Sequence, residues 1–158
     1  MKGVVLHEGK RYFMDLLEII KAINNKNLDY NWFITDTECY PENDDIDTIF
    51  LKKYNWMSGR QLQAILNVEN FKWEWAVLSA FKKDVELKEI LEYEFPCADV
   101  YPGFWDNGIS LQHPLADIEI IPWNGSATFV ISKDDAIVDE FIEYFPECED
   151  LESYNKRL

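Results

Sequence analysis

The sequence has few basic side chains for its size. Its 158 residues include 15 lysines and arginines against 30 aspartates and glutamates, which gives a formal net charge of −15 at pH 7. Binding to nucleic acid phosphates depends on lysine and arginine, so this composition argues against a general nucleic-acid binder. The imbalance is concentrated late in the chain, because residues 1–88 carry 12 basic and 14 acidic side chains and residues 89–158 carry 3 and 16.

Cysteine and long apolar runs are also scarce. The three cysteines, Cys39, Cys97 and Cys148, form no C-x-x-C pair and have no histidine nearby in sequence to complete a metal site. We therefore expect the protein to lie in the reducing cytoplasm and to bind neither a metal nor a cofactor. No charged-then-apolar leader precedes Val4 and no apolar run approaches the roughly 18 residues of a membrane span, so no membrane association is expected.

The common catalytic and nucleotide-binding motifs are missing as well. The sequence contains no G-x-S-x-G, no G-x-x-x-x-G-K-[ST], no G-x-G-x-x-G and no paired histidines for zinc. One stretch, "FWDNGISLQHPLADIEIIPWNGS", places His113 near Asp117 and Glu119. A carboxylate-dependent hydrolase that uses Asp117 or Glu119 with His113 is therefore one alternative. Because His113 precedes a proline, the sequence predicts an extended residue at a turn, and we rank an enzyme second to a binding protein.

Hydrophobic periodicity predicts one α+β domain over residues 1–158. Strands are expected at residues 2–6, 30–35 and 71–81, and helices at about 10–24, 59–67, 85–93 and 134–145. The helix at 59 begins with a capping box, Ser58 with Gln61, and Asp84 is the expected cap of the next helix. The acidic stretch over residues 36–47 lacks the glycine and the terminal glutamate of a calcium loop, so a solvated loop is expected there. We expect a largely antiparallel sheet with the helices packed on one face.

Two Asn-Gly pairs predict a C-terminal meander. Asn124-Gly125 favours a two-residue hairpin in which residues whose numbers sum to 249 are opposite each other. That register places four apolar residues on one face: Ile118, Ile120, Phe129 and Ile131. Asn107-Gly108 predicts a second hairpin, between residues 104–105 and 109–111.

Alternation in "FKWEWAVLSAF" places several aromatic side chains on one face of a strand. Trp73 and Trp75 share that face, two residues apart. An aromatic core wall is the simpler interpretation, and small-ligand binding by an aromatic pocket is the alternative.

The last helix and the tail at 146–158 carry an unusual excess of carboxylates. Ser132 with Asp135 resembles a capping box, and Ile137, Val138, Phe141 and Phe145 form an inward stripe. Between Asp134 and Asn155 there are nine acidic residues and no basic one. Carboxylates at a helix C-terminus oppose the helix dipole, so stability alone does not explain them, although a general gain in solubility would. The residues predicted to bind a basic partner are Glu143, Tyr144, Glu147, Glu149, Asp150 and Tyr154.

The blocks "YNWFITDTECYP", "WMSG" and "FWDNGISLQHPLADIEI" resemble a family of short bacterial proteins, found mainly in bacilli and known only as a domain of unknown function. The resemblance implies a bacterial origin and brings no catalytic residue, ligand or partner. In size, acidity and tryptophan content the chain is also similar to immunity proteins that neutralise toxins. The sequence therefore predicts a non-enzymatic, inhibitor-like or immunity-like binding protein for a basic macromolecule, and it leaves the oligomeric state open.

Overall fold

The computed structural model describes residues 1–7, 15–106 and 108–158. Within them the strands are β1 (Lys2–Leu6), β2 (Tyr30–Cys39), β3 (Tyr54–Ser58), β4 (Trp73–Lys82), β5 (Ile118–Trp123), β6 (Ala127–Ser132) and β7 (Glu149–Asp150). The helices are α1 (Leu16–Ala22), α2 (Asp44–Phe50), α3 (Gly59–Val68), α4 (Leu87–Ile90), α5 (Asp135–Tyr144) and α6 (Leu151–Asn155). Two 3₁₀ turns span Lys26–Asp29 and Pro102–Trp105.

The strands form one antiparallel sheet in the order β3-β2-β4-β5-β6-β1-β7. Together with the helices it gives the α+β fold that the sequence predicts. The seven-residue helix α1 lies inside the helix predicted at 10–24, whose first part falls outside the described residues. The capping box of Ser58 and Gln61 is confirmed, as are the helices near 59–67 and 134–145.

The four longer helices cover one face of the sheet. Trp32 and Ile34 of β2 are buried there, in one apolar cluster with residues of α1, α2, α3 and α5. Phe33, between them in sequence, points to the opposite face and packs with Phe81 and Ile90. Alternation of side chains along a strand thus gives the sheet two buried faces.

The segment between β4 and β5, residues 83–106 and 108–117, covers the second face with little regular structure, and we call it the covering segment. Side chains hold it in place through hydrogen bonds to its backbone. Thr35 Oγ1 donates to the Pro96 carbonyl at 2.8 Å, and Asp36 Oδ2 accepts from the Ala98 amide at 2.7 Å. Gln112 bridges both backbone groups of Cys97. Buried backbone groups need partners, and here polar side chains supply them instead of a ladder.

The helix predicted at 85–93 is shorter than expected and packs on the other face of the sheet. It covers only Leu87–Ile90, and its cap is Glu86, whose side chain and that of Glu89 form the capping box, so Asp84 is not the cap. Ile90 is fully buried on the second face, in the cluster of Phe33 and Phe81. This helix therefore packs on the side of the sheet opposite the other predicted helices.

The prediction of a solvated loop at 36–47 is wrong, because much of this segment is strand or helix. Strand β2 continues to Cys39, and α2 begins after Asn43, whose side chain accepts from the Asp45 and Ile46 amides. The aspartates that suggested a solvated loop occupy the first turn of α2, where the helix dipole favours negative charge.

The hairpin at Asn124-Gly125 forms, but its strand register differs from the prediction. Asn124 and Gly125 have φ of 52° and 63°, and the Ser126 amide donates to the Trp123 carbonyl. Ser126 then stays outside the ladder, so opposite residues sum to 250, as in Ile120 with Val130. As a result Phe129 and Ile131 point away from Ile118 and Ile120, onto the second face.

The two strands of the second predicted hairpin, at 104–105 and 109–111, do not form. Phe104 and Trp105 belong to the 3₁₀ turn, residues 109–111 form no strand, and Asn107 lies outside the described residues. Phe104 is buried against Phe129 with ring centroids 5.3 Å apart. Packing of this aromatic ring on the sheet replaces strand pairing.

Trp73 and Trp75 do not share a face. The pairing of β2 with β4 shifts register between Thr35 and Glu38 and again at Cys39. Trp73 belongs to the helix-side cluster, whereas Trp75 packs on Trp123 on the second face. A β-bulge reverses the alternation that the sequence pattern assumed.

The C-terminal residues at 134–158 are folded against the sheet. Asp134, not Ser132, caps α5, since its carboxylate accepts from the Ala136 amide. The tail then adds β7 beside β1 and α6 over the second face, where Leu151 is fully buried. The chain thus passes around the sheet edge from one face to the other.

Candidate functional site

His113 is held in one neutral form by its surroundings. The side chain is fully buried, Nδ1 accepts from the Leu115 amide at 3.2 Å, and Nε2 lies 3.0 Å from the Ile90 carbonyl oxygen. Nδ1 accepts a bond from an amide, so the proton lies on Nε2, which donates to that carbonyl. Burial lowers the pKa of His113. Both ring nitrogens are engaged, which leaves none to take a proton from a substrate.

Glu119 is buried beside His113 and bonds to its backbone. Its Oε1 accepts from the His113 amide at 3.1 Å, and the side chain has no exposed surface. Burial raises the pKa of Glu119 to about 7. Among the described residues, neither the second oxygen, Oε2, nor the hydroxyl of Ser79, which lies directly opposite in the β4–β5 ladder, has a hydrogen-bond partner.

Asp117 belongs to a different site. Its carboxylate lies 3.9 Å from Lys82 Nζ and 4.0 Å from Lys133 Nζ, in a surface cavity of about 310 Å³ that also includes Tyr30 and Asp134. Neither His113 nor Glu119 lines this cavity. The three residues of the hydrolase alternative are close in sequence, but the structure brings them into no shared cavity. His113 and Glu119 instead hold the covering segment in place through hydrogen bonds.

The three cysteines are half-buried free thiols, and burial raises the pKa of each. Burial raises the pKa of Cys39 to about 12 and that of Cys148 to about 11, so both remain protonated thiols near neutral pH. Among residues 1–7, 15–106 and 108–158, no group of three or more His, Cys, Asp or Glu side chains is placed to hold a metal ion. In the same residues, no helix is long and apolar enough to cross a membrane.

The six residues predicted to bind a partner fall into two groups. Glu143 and Tyr144 lie at the C-terminal end of α5, on the helix side. Glu149 and Asp150 form β7 at the sheet edge, where Glu149 pairs with Arg157 and with His7, and Asp150 caps α6. Tyr154 packs on the second face, against Trp105 and His7. Glu147 lies in the turn between the two groups.

The first group borders a groove that the sequence analysis did not identify. We call it the α1–α5 groove, a surface cavity of about 450 Å³ lined by Lys21, Ala22, Asn24, Glu140, Glu143 and Tyr144. The C-terminal ends of α1 and α5 meet here, and each contributes the partial negative charge of unpaired carbonyl groups. The i, i+3 spacing of Glu140 and Glu143 is the sequence signal, but nothing in the sequence shows that α1 packs beside them.

The carboxylates of the α1–α5 groove are incompletely paired. Glu140 Oε1 lies 3.3 Å from Lys26 Nζ, whereas its Oε2 is covered from solvent and has no hydrogen-bond donor among the residues that the structure describes. Glu143 forms no ion pair with any described residue. Lys21, the one basic lining residue, has its ammonium 3.2 Å from Glu18, which also accepts from the Tyr144 hydroxyl. The groove is therefore an electronegative recess with an aromatic ring at its border.

Comparison with known proteins identifies a family and no individual relative. No curated protein and no solved structure gives a significant match to the chain. Residues 1–96 match the family described as "Protein of unknown function (DUF2691)". The matched part contains β1 to β4 and α1 to α4, and it lacks His113, Glu119 and the α5 side of the groove. Since the match covers more than half of the 158 residues, the chain belongs to the DUF2691 family.

Proposed function

We propose that the protein is a non-enzymatic binding protein that captures a basic macromolecular partner, inhibitor-like or immunity-like, through the α1–α5 groove. Glu140, Glu143 and Tyr144 form the contact, and a lysine or arginine side chain of the partner enters between the helix ends. Glu147 and the β7 carboxylates extend the negative surface around the sheet edge. As the sequence suggests, we further propose that the protein is bacterial and cytoplasmic.

The observation that carries the proposal is Glu143, an exposed carboxylate that lines the groove at the meeting point of two helix C-termini and has no ion pair among the described residues. A carboxylate without a basic partner, close to negative helix ends, is electrostatically unfavourable in the isolated chain. A cationic side chain of the partner pairs with this exposed carboxylate and interacts favourably with both dipoles. The tyrosine ring adds apolar contact area, which is typical of residues that dominate binding energy.

The net charge of −15 supports the same function through kinetics. Long-range attraction speeds encounter with a basic partner and depends on salt, while close contacts fix affinity and orientation. An acidic surface alone also keeps a protein soluble, so the test must separate this groove from the rest of the negative surface.

A matched pair of double variants provides that test. Glu140→Gln with Glu143→Gln removes two charges in the groove, and Glu92→Gln with Glu94→Gln removes two exposed charges from the covering segment. Anisotropy of a labelled oligolysine peptide measures binding at low and at physiological salt. We expect the groove variant to bind about tenfold more weakly and the control to stay close to wild type.

Two outcomes would refute the proposal. Equal weakening in both double variants would mean that the peptide responds to total charge and not to the groove. Unchanged binding in the groove variant, with amide NMR shifts located elsewhere than residues 21–24 and 140–144, would exclude the groove. Circular dichroism of each variant verifies that the fold is intact.

A further inference from the structure

We propose that β3 is a docking edge for an extended acidic peptide, which adds to the sheet as an additional strand. Strand β3 is the terminal strand of the sheet order and pairs only with β2 among the described strands. Its outer backbone N–H and C=O groups are therefore available to an incoming chain, as in other cases of β-strand addition.

A groove already runs along this edge. Its volume is about 520 Å³ and its lining residues are Lys52, Lys53, Tyr54, Asn55, Trp56 and Leu87. Tyr54 and Trp56 offer partly exposed aromatic surface. The backbone N–H and C=O groups of β3 that do not face β2 can pair with the backbone of a docked strand.

Charge identifies the occupant as acidic. Lys52 and Lys53 precede β3 and Arg60 follows it, all three are exposed, and none has an ion pair in the described part of the chain. Most other described basic residues, such as Lys2, Lys26 and Lys133, pair with carboxylates of the same molecule. Unpaired positive charge at both ends of one edge strand fits a segment with acidic side chains at both of its ends.

The carboxylates beside Leu87 form no ion pair with Lys52 or Lys53 in the described part of the chain. Glu86 and Glu89, next to Leu87 in α4, are engaged in the cap of that helix, and Glu86 also contacts Lys88. The edge is remote from the α1–α5 groove in the sheet order, because α5 packs on β1 and β6. The two surfaces therefore act independently, and failure of one test leaves the other unaffected.

The probe is a peptide of about nine residues, long enough at about 3.3 Å per residue to pass the strand and both charged ends. It carries Glu–Asp at each end and alternating Val–Thr between them. A control peptide carries Gln–Asn at the ends, and two further versions carry N-methyl groups at alternate positions of one or the other parity. Tryptophan fluorescence and amide NMR shifts in β3 report binding.

We expect the acidic peptide to bind at least tenfold more tightly than the amide control, and one N-methyl series to abolish binding. The variant Lys52→Gln/Lys53→Gln should weaken binding at least tenfold. The matched control, Lys72→Gln/Lys83→Gln, removes two other exposed lysines without an ion pair among the described residues and should have no effect.

Three results would overturn the inference. The first is equal binding of both N-methyl series, which would exclude strand addition. The second is equal loss in the two lysine variants, which would indicate general charge attraction. The third is a concentration-dependent dimer that blocks the peptide, which would assign the edge to a second copy of the chain.

Discussion

Replacement of Glu119 by glutamine should change how stability depends on pH. The carboxyl group is fully buried and its pKa is raised from 4.5 to about 7. Below pH 4.5 the folded and unfolded chains both hold this proton, so the titration of the group does not change stability. Between pH 4.5 and 7 the unfolded chain ionises first, and folding then opposes ionisation.

The magnitude follows from the shift of the pKa. Each pH unit between the two pKa values corresponds to about 1.4 kcal/mol, so the wild type loses about 3 kcal/mol from this residue as pH rises from 4.5 to 7. Glutamine does not titrate, and its carbonyl oxygen still accepts from the His113 amide, the contact that Glu119 Oε1 makes at 3.1 Å. The unfolding free energy of Glu119→Gln minus that of wild type should rise by about 3 kcal/mol over this range and stay constant above pH 7.

Urea unfolding followed by tryptophan fluorescence, at intervals from pH 4 to pH 8, measures this difference. Only its change with pH matters, so any constant effect of the amide cancels. Glu92→Gln, at an exposed position, controls for the loss of one negative charge. A difference that stays flat from pH 4 to pH 8 would show that Glu119 is hydrated or paired in solution, and the reasoning from burial would be refuted.

Three further changes test the packing. Ser58→Ala removes the capping box of α3 and should lower the free energy of unfolding by about 1 kcal/mol in urea; an unchanged midpoint would contradict the cap. Gly59→Ala places a Cβ 1.9 Å from the Asn27 carbonyl oxygen, so the melting temperature should fall clearly, whereas an unchanged value would mean that the 3₁₀ turn moves freely. Leu151→Ala should lower the free energy of unfolding by about 2–5 kcal/mol and speed proteolysis of the tail; equal cleavage rates would argue against its burial.

The periodic elements could be predicted from the sequence because their information is local. The capping box at Ser58 and the positive φ at Asn124 depend on residues that are close in the chain. The register of the last hairpin could not be predicted, because one unpaired residue, Ser126, reverses the direction of every later side chain. The faces of Trp73 and Trp75 depend on a bulge that forms only between two strands.

The candidate sites were harder to predict for a related reason. His113 drew attention by its residue type, and only the contacts with Ile90 and Leu115 show that its nitrogens are engaged. The α1–α5 groove joins residues more than a hundred positions apart, such as Ala22 and Glu140. No local pattern encodes that packing, although the acidic excess of the last helix pointed to one side of it.

The position of β1 in the sheet sets an order for folding during synthesis. Its ladder partners are β6 and β7, so the first strand of the chain waits for residues beyond 126 before it can pair. Strands β2, β3 and β4 pair with one another and can assemble much earlier, with shorter loops to close. The matched segment at 1–96 contains β1 without either partner. Once this segment has left the ribosome, it can form a three-stranded core, while the apolar strand from Val4 to Leu6 needs protection from aggregation until the hairpin of β5 and β6 emerges.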